Sequence, residues 1–138
     1  NVKVNILQAS QAHLKKFRIR LNYNRTLNRI IVSEASQTDF KSFKVNGQTV
    51  ALPEDESAQH VHLNRFKNNV IDYYVVNQEP LYFEFEVEKD KTVEFVFNEI
   101  SFDLLSHPLF TIPDRPQHNI PKPFIVNDAI VIKQKLTL

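Results

Sequence analysis

The chain has 138 residues, a net charge of +1 and no cysteine. That length suffices for one domain with a sizeable core, and the near-neutral balance argues against a dedicated nucleic-acid binder. The missing cysteines exclude a disulfide framework, a thiol nucleophile and Cys-ligated zinc, and no apolar run is long enough for a spanning helix.

The charge is unevenly placed along the chain. Residues 1–33 carry seven basic residues (Lys3, Lys15, Lys16, Arg18, Arg20, Arg25, Arg29) and no acid. Residues 79–103 carry eight acids (Glu79, Glu84, Glu86, Glu88, Asp90, Glu94, Glu99, Asp103) against Lys89 and Lys91. The two segments are complementary, so structural pairing between them is a better reading of the basic segment than a lipid or phosphate surface.

The opening NVKVNIL already alternates apolar and polar residues. It has neither a signal peptide nor an initiator methionine, which points to a piece of a longer chain. In FRIRLNY, Phe17, Ile19, Leu21 and Tyr23 alternate with Arg18, Arg20 and Asn22, the pattern of a half-buried strand. NRIIVSE reads as a strand after the turn NRTLN. FKVNGQTV is a hairpin by its Asn46-Gly47 pair, because a type I′ turn needs positive φ at both central residues. PEDESA (53–58) is a polar loop, followed by strands HVHLNRF and VIDYYVV around the turn residues KNN.

LYFEFEVEKDKTVEFVFNEI reads as a further hairpin. A three-residue loop, Lys89 to Lys91, sets Val87 opposite Val93, Phe85 opposite Phe95 and Phe83 opposite Phe97. A short helix at DLLSH is the one helical candidate, and AIVIKQKLTL is the last strand. Some eight or nine short strands, with phenylalanines turned inward, make one all-β domain over residues 1–138. The expected architecture is an antiparallel β-sandwich, with a jelly roll or partly open barrel as variants.

Three groups of residues are candidates for chemistry. His60 and His62 project the same way on a strand, and Asp72 on the next strand is the available third ligand for a metal; a surface histidine pair without metal is the plainer reading. Glu84, Glu86, Glu88 and Glu94 line the outward face of the acidic hairpin, where Glu86 falls opposite Glu94. Like charges so placed are destabilising, and a cation, a basic partner or a neighbouring strand bearing Arg18 and Arg20 would offset them. The strand is the simplest of the three. Tyr73, Tyr74 and Tyr82, if clustered and exposed on one face, would mark a stand-alone binding module for carbohydrate or a protein partner. No Gly-x-Ser-x-Gly elbow or phosphate-cradling glycine loop is present, so the reading is of a chain without a catalytic set.

Residues 107–129, HPLFTIPDRPQHNIPKPFIVNDA, hold Pro108, Pro113, Pro116, Pro121 and Pro123. Proline stiffens an extended backbone, and the interleaved Leu109, Phe110, Ile112, Ile120, Phe124 and Ile125 call for a core or interface. The stretch therefore reads as a structural strap before the last strand, although Pro113 and Pro116 also fit a minimal PxxP ligand. The order Asp103-Leu104-Leu105, Pro108, Ile112-Pro113, Arg115-Pro116, Ile120-Pro121, Pro123-Phe124, Asn127-Asp128-Ala129 and a final strand resembles the extreme C-terminus of bacterial membrane-spanning zinc exopeptidases. These are aminopeptidase-like metallopeptidases related to the vacuolar membrane protease and the endoplasmic-reticulum metallopeptidase.

The resemblance covers about the last 35 residues well and the rest only in all-β character. It implies a terminal β-domain on the non-cytoplasmic side of a membrane, as part of a membrane-anchored protein. Its partners would be its own upstream catalytic or membrane domain and peptide substrates, with no nucleic acid. Zinc and the catalytic acid would belong to the upstream domain, leaving no cofactor in this chain.

Overall fold

A computed structural model of the chain describes residues 2–36, 38–51, 61–62, 69–104, 108–109 and 129–138; the side chains of Ala51, Val61 and His62 are outside that description. Ten strands follow in order: β1 (Lys3–Gln11), β2 (Leu14–Asn22), β3 (Arg29–Glu34), β4 (Ser42–Val45), β5 (Gln48–Ala51), β6 (Val61–His62), β7 (Asn69–Tyr74), β8 (Leu81–Glu88), β9 (Glu94–Ser101) and β10 (Ile130–Thr137). The described residues contain no helix; of DLLSH only Asp103 and Leu104 are among them, and neither is helical. The loop 53–58, most of HVHLNRF and the proline stretch beyond Leu109 lie outside the described residues.

Two sheets make the sandwich. The larger runs in the order β1, β2, β8, β4, β5, β6 and the smaller β10, β9, β3, β7. All pairs are antiparallel except β5 with β6. The β4–β5 turn has φ of 48° at Asn46 and 80° at Gly47, as the I′ reading requires.

The segment 81–101 departs from the expected hairpin. β8 pairs with β2 and β4 in one sheet, whereas β9 pairs with β10 and β3 in the other, so residues 89–93 form an arch between the sheets. Phe85 and Phe95 still meet, but across the core, with ring centroids 5.3 Å apart. Alternation decides which side chains turn inward and is silent on which strand lies alongside. Glu86 is consequently not opposite Glu94: its neighbours are Lys16 and Ser42, and that of Glu94 is Thr137.

Phe17, Phe40, Phe43, Phe83, Phe85, Phe95 and Phe97 are all buried, and Phe85 touches five of the other rings at 5.3–6.2 Å. Burial of each such side chain contributes roughly 1.5–3 kcal/mol. Ile19, Leu21, Leu27, Ile30, Val32, Leu81, Val87 and Val93 fill the spaces between them.

Candidate functional site

One end of the sandwich gathers most of the unusual chemistry. Here β2, β7 and β9 stop and β3, β8 and β10 start, so the connections 23–28 and 75–80 lie side by side. Asn28 laces them together: its amide bonds the Ile100 carbonyl at 2.9 Å, its carbonyl accepts from Val75 at 3.0 Å, and its side-chain oxygen accepts from Phe102 at 2.9 Å. Asn77 and Gln78 both adopt left-handed conformations, with φ of 51° and 56°, in a turn closed by Glu79 N to Val76 O at 3.0 Å. Such φ values are costly for residues other than glycine. Gln78 is held there by its side chain, whose Oε1 accepts from Leu27 N at 3.0 Å while Nε2 donates to Leu27 O at 2.9 Å.

Between the two connections lies a pocket of about 430 Å³ lined by Asn22, Tyr23, Asn24, Arg25, Thr26, Gln78 and Pro80. Burial pushes the Tyr23 hydroxyl up to about 12, with Tyr73 adding to the rise and the Leu81 backbone opposing it; the hydroxyl is buried without a hydrogen-bond partner among the described residues. Arg25 reaches inward, donating to Ser101 Oγ and, at 3.4 Å, to the Glu99 carbonyl; Ser101 Oγ in turn donates to Asp103 at 2.5 Å. Ser101 is buried and engaged on both sides, so it is not presented as a nucleophile. Behind it Glu99 is fully buried, and neither carboxylate oxygen has a hydrogen-bond partner; Arg25 Nε and Gln134 Oε1 are also buried and unbonded. Such orphans are rare in folded proteins, and each calls for water, an ion or a functional reason.

The charge pairing expected from the sequence is present on the outer face of the larger sheet. Glu84 on β8 accepts from Arg18 Nε at 2.7 Å and lies 3.7 Å from Lys16 Nζ, with Lys44 of β4 as its other register neighbour. Arg20 falls opposite Tyr82 instead. Ser42 Oγ donates to Glu86 at 3.0 Å, and Lys135 of β10 lies 3.2 Å from Glu94. Glu88 stands opposite Leu14 at the end of the strand.

Of the metal candidates, His60 lies outside the described residues, as does the side chain of His62. Asp72 is on β7 of the smaller sheet whereas β6 belongs to the larger one, so the two strands are not sheet neighbours. Asp72 is also engaged, accepting two bonds from Arg29 at 2.7 and 2.5 Å. That fork raises the already high pKa of Arg29, whose guanidinium sits 4.9 Å from the Tyr74 ring centroid. No cluster of three His, Cys, Asp or Glu suited to a metal occurs among the described residues. The three tyrosines are dispersed: Tyr82 is on the outer face of the larger sheet, Tyr74 on that of the smaller, and Tyr73 is half-buried beside the core.

No family model, curated protein or solved structure matches the chain. The site therefore rests on its own geometry. Sequence reading missed Tyr23, Arg25 and Gln78, whose partners lie 51 to 76 residues away. Glu99 left a trace, because it occupies the inward phase of Val93, Phe95 and Phe97, as Gln134 does between Ile132 and Leu136.

The outer face of the smaller sheet carries a second feature. The register aligns Val131, Ile100, Arg29 and Tyr74 in one row. Val131 and Tyr74 are 57% and 62% exposed, and Phe102 and Val76, just past β9 and β7, are 50% and 60% exposed.

Proposed function

We propose that this β-sandwich is a non-catalytic accessory domain of a membrane-bound zinc metallopeptidase, packing on the parent's catalytic or membrane part outside the cytoplasm. The observation that carries the reading is the group of exposed apolar side chains Tyr74, Val76, Phe102 and Val131 on and beside the outer face of the smaller sheet. Clustered exposed apolar groups of this kind mark docking surfaces more often than free surface. The resemblance of residues 103–129 to the C-terminus of such peptidases names the partner. Zinc and the reaction belong to the upstream domain in this reading, and this domain's part is to pack there and help present peptide substrates.

The test uses the complete parent protein in its membrane, with a benzophenone amino acid placed at Phe102 or Val131 and, as a control, at Lys44 on the opposite face. Cross-links from the first two positions to the upstream part, and none from the third, are expected. Labelling of lipid alone, or equal labelling from all three, would sink the proposal.

A stand-alone carbohydrate-binding module is the second reading. It is favoured by the pocket, whose Asn22, Asn24 and Thr26 side chains are of the kind that sugar hydroxyls pair with, beside the ring of Tyr23. Saturable amide shifts at these residues on adding oligosaccharide would select it.

A further inference from the structure

The edges of the two sheets are not alike. β10 carries Lys133 and Lys135, β7 is six residues long and carries Asp72, and β6 spans two residues. Charges and shortness of this kind keep an edge from pairing with foreign strands. β1 has neither protection. It is nine residues long, contains no proline, carries its one charge at Lys3, and pairs with β2 alone among the described residues.

Hydrogen-bond phase shows which of its backbone groups face away from β2. Lys41 and Asn46 donate to the Glu86 and Tyr82 carbonyls, so even-numbered residues of β8 face β4 and odd-numbered ones face β2. Phe17 and Ile19, opposite Phe85 and Phe83, therefore face β8. The even residues of β2 then face β1, where they meet Gln11, Ala9, Leu7, Asn5 and Lys3. The amides and carbonyls of Val4, Ile6, Gln8 and Ser10 point out of the sheet.

We propose that β1 pairs antiparallel with β1 of a second copy of this chain, with Leu7 on the two-fold axis. This register joins Val4 to Ser10 and Ile6 to Gln8 of the second copy, which uses every outward backbone group of both strands. Lys3 falls opposite Gln11, so no like charges meet. Leu7, 65% exposed, meets its own copy at a non-hydrogen-bonded site where Cα atoms approach to about 4.5 Å. Ile6, 39% exposed, is covered by Gln8. A two-fold contact must be self-complementary, and a neutral strand centred on its own exposed leucine satisfies that condition. The inference stands independently of the metallopeptidase reading.

Sedimentation of the 138-residue chain across about 10 μM to 1 mM, the range of weak association, is expected to show a monomer–dimer equilibrium. Gln8→Pro removes an outward amide that bonds nothing among the described residues, and Leu7→Lys places like charges on the axis; both are expected to give monomer with thermal unfolding near the parent's. Because the chain lacks cysteine, Leu7→Cys is expected to cross-link under mild oxidation about tenfold faster or more than Gln11→Cys, which the register holds far from its own copy. Monomer at every concentration, a dimer indifferent to Gln8→Pro, equal cross-linking at the two positions, or capture of an unrelated extended peptide by a chain that stays monomeric would each overturn the proposal.

Discussion

Replacing Glu99 with methionine should make the protein more stable. Both carboxylate oxygens are buried without a hydrogen-bond partner, and the register neighbours of Glu99 are Ile30 on β3 and Ile132 on β10. An unsatisfied buried polar group costs about 1–3 kcal/mol, and a packed apolar side chain of similar volume removes that cost. Methionine matches the length of glutamate and adapts to an irregular space between isoleucines. A gain of about 2 kcal/mol follows, which for a chain of this size raises Tm by roughly 6 °C. Urea unfolding followed by fluorescence or far-UV dichroism should show a higher midpoint at unchanged slope, since the surface exposed on unfolding hardly changes. Glu99→Gln keeps a polar group in place and should gain less. A fall in Tm on Glu99→Met would refute the reasoning, because it would mean that the carboxylate is held by donors on which the fold depends. If the carboxylate serves the adjoining pocket, added stability should come with weaker ligand binding there.

Phe85→Ala removes the ring that touches five others at the centre of the core and should cost about 3–5 kcal/mol, which for a chain of this size lowers Tm by roughly 10–17 °C. Ala12, with φ of 53° at the first loop position of the β1–β2 turn, occupies a site suited to glycine; Ala12→Gly should raise stability by up to about 1 kcal/mol in chemical unfolding. Tyr23, ordinarily titrating near 10 and raised to about 12 in the fold, favours the protonated state there. Its contribution is complete below pH 10 and is lost as pH climbs from 10 to 12, because the unfolded chain ionises first. The Tm of Tyr23→Phe should therefore fall less steeply than the parent's over that interval, and parallel curves would contradict the assignment.

How far the fold was legible depends on the range of the interaction concerned. The inward phase of Phe17, Ile19, Leu21, Phe83, Phe85, Phe95 and Phe97 was plain from alternation, and the Asn46-Gly47 turn from local stereochemistry. The pairing of the basic and acidic segments was also legible, since Arg18 and Glu84 advertise opposite charge in strands of matching length. The partner of β9 was not, because an inter-sheet arch and a hairpin place the same side chains inward. The pocket was hidden for a related reason: Gln78 reaches Leu27, and Arg25 reaches Ser101, across separations that leave no periodic mark. Glu99 showed as a break in an apolar phase, and breaks of that kind are worth following before the acid is counted with its exposed neighbours.

The neighbours β2 and β8 are separated by 66 residues between Arg18 and Glu84, and this sets a condition on how the molecule is made. Contacts that close such long loops are entropically expensive, so the chain belongs with the slow folders of high contact order, on millisecond to second timescales. During synthesis at about 5–20 residues per second, β2 emerges roughly 3–13 seconds before the strand that will lie beside it. Through that interval the apolar side of the β1–β2 hairpin, with Phe17, Ile19 and Leu21, stays uncovered. Lys15, Lys16, Arg18 and Arg20 keep the nascent hairpin charged through that interval, and Lys16 and Arg18 then meet Glu84 when β8 arrives.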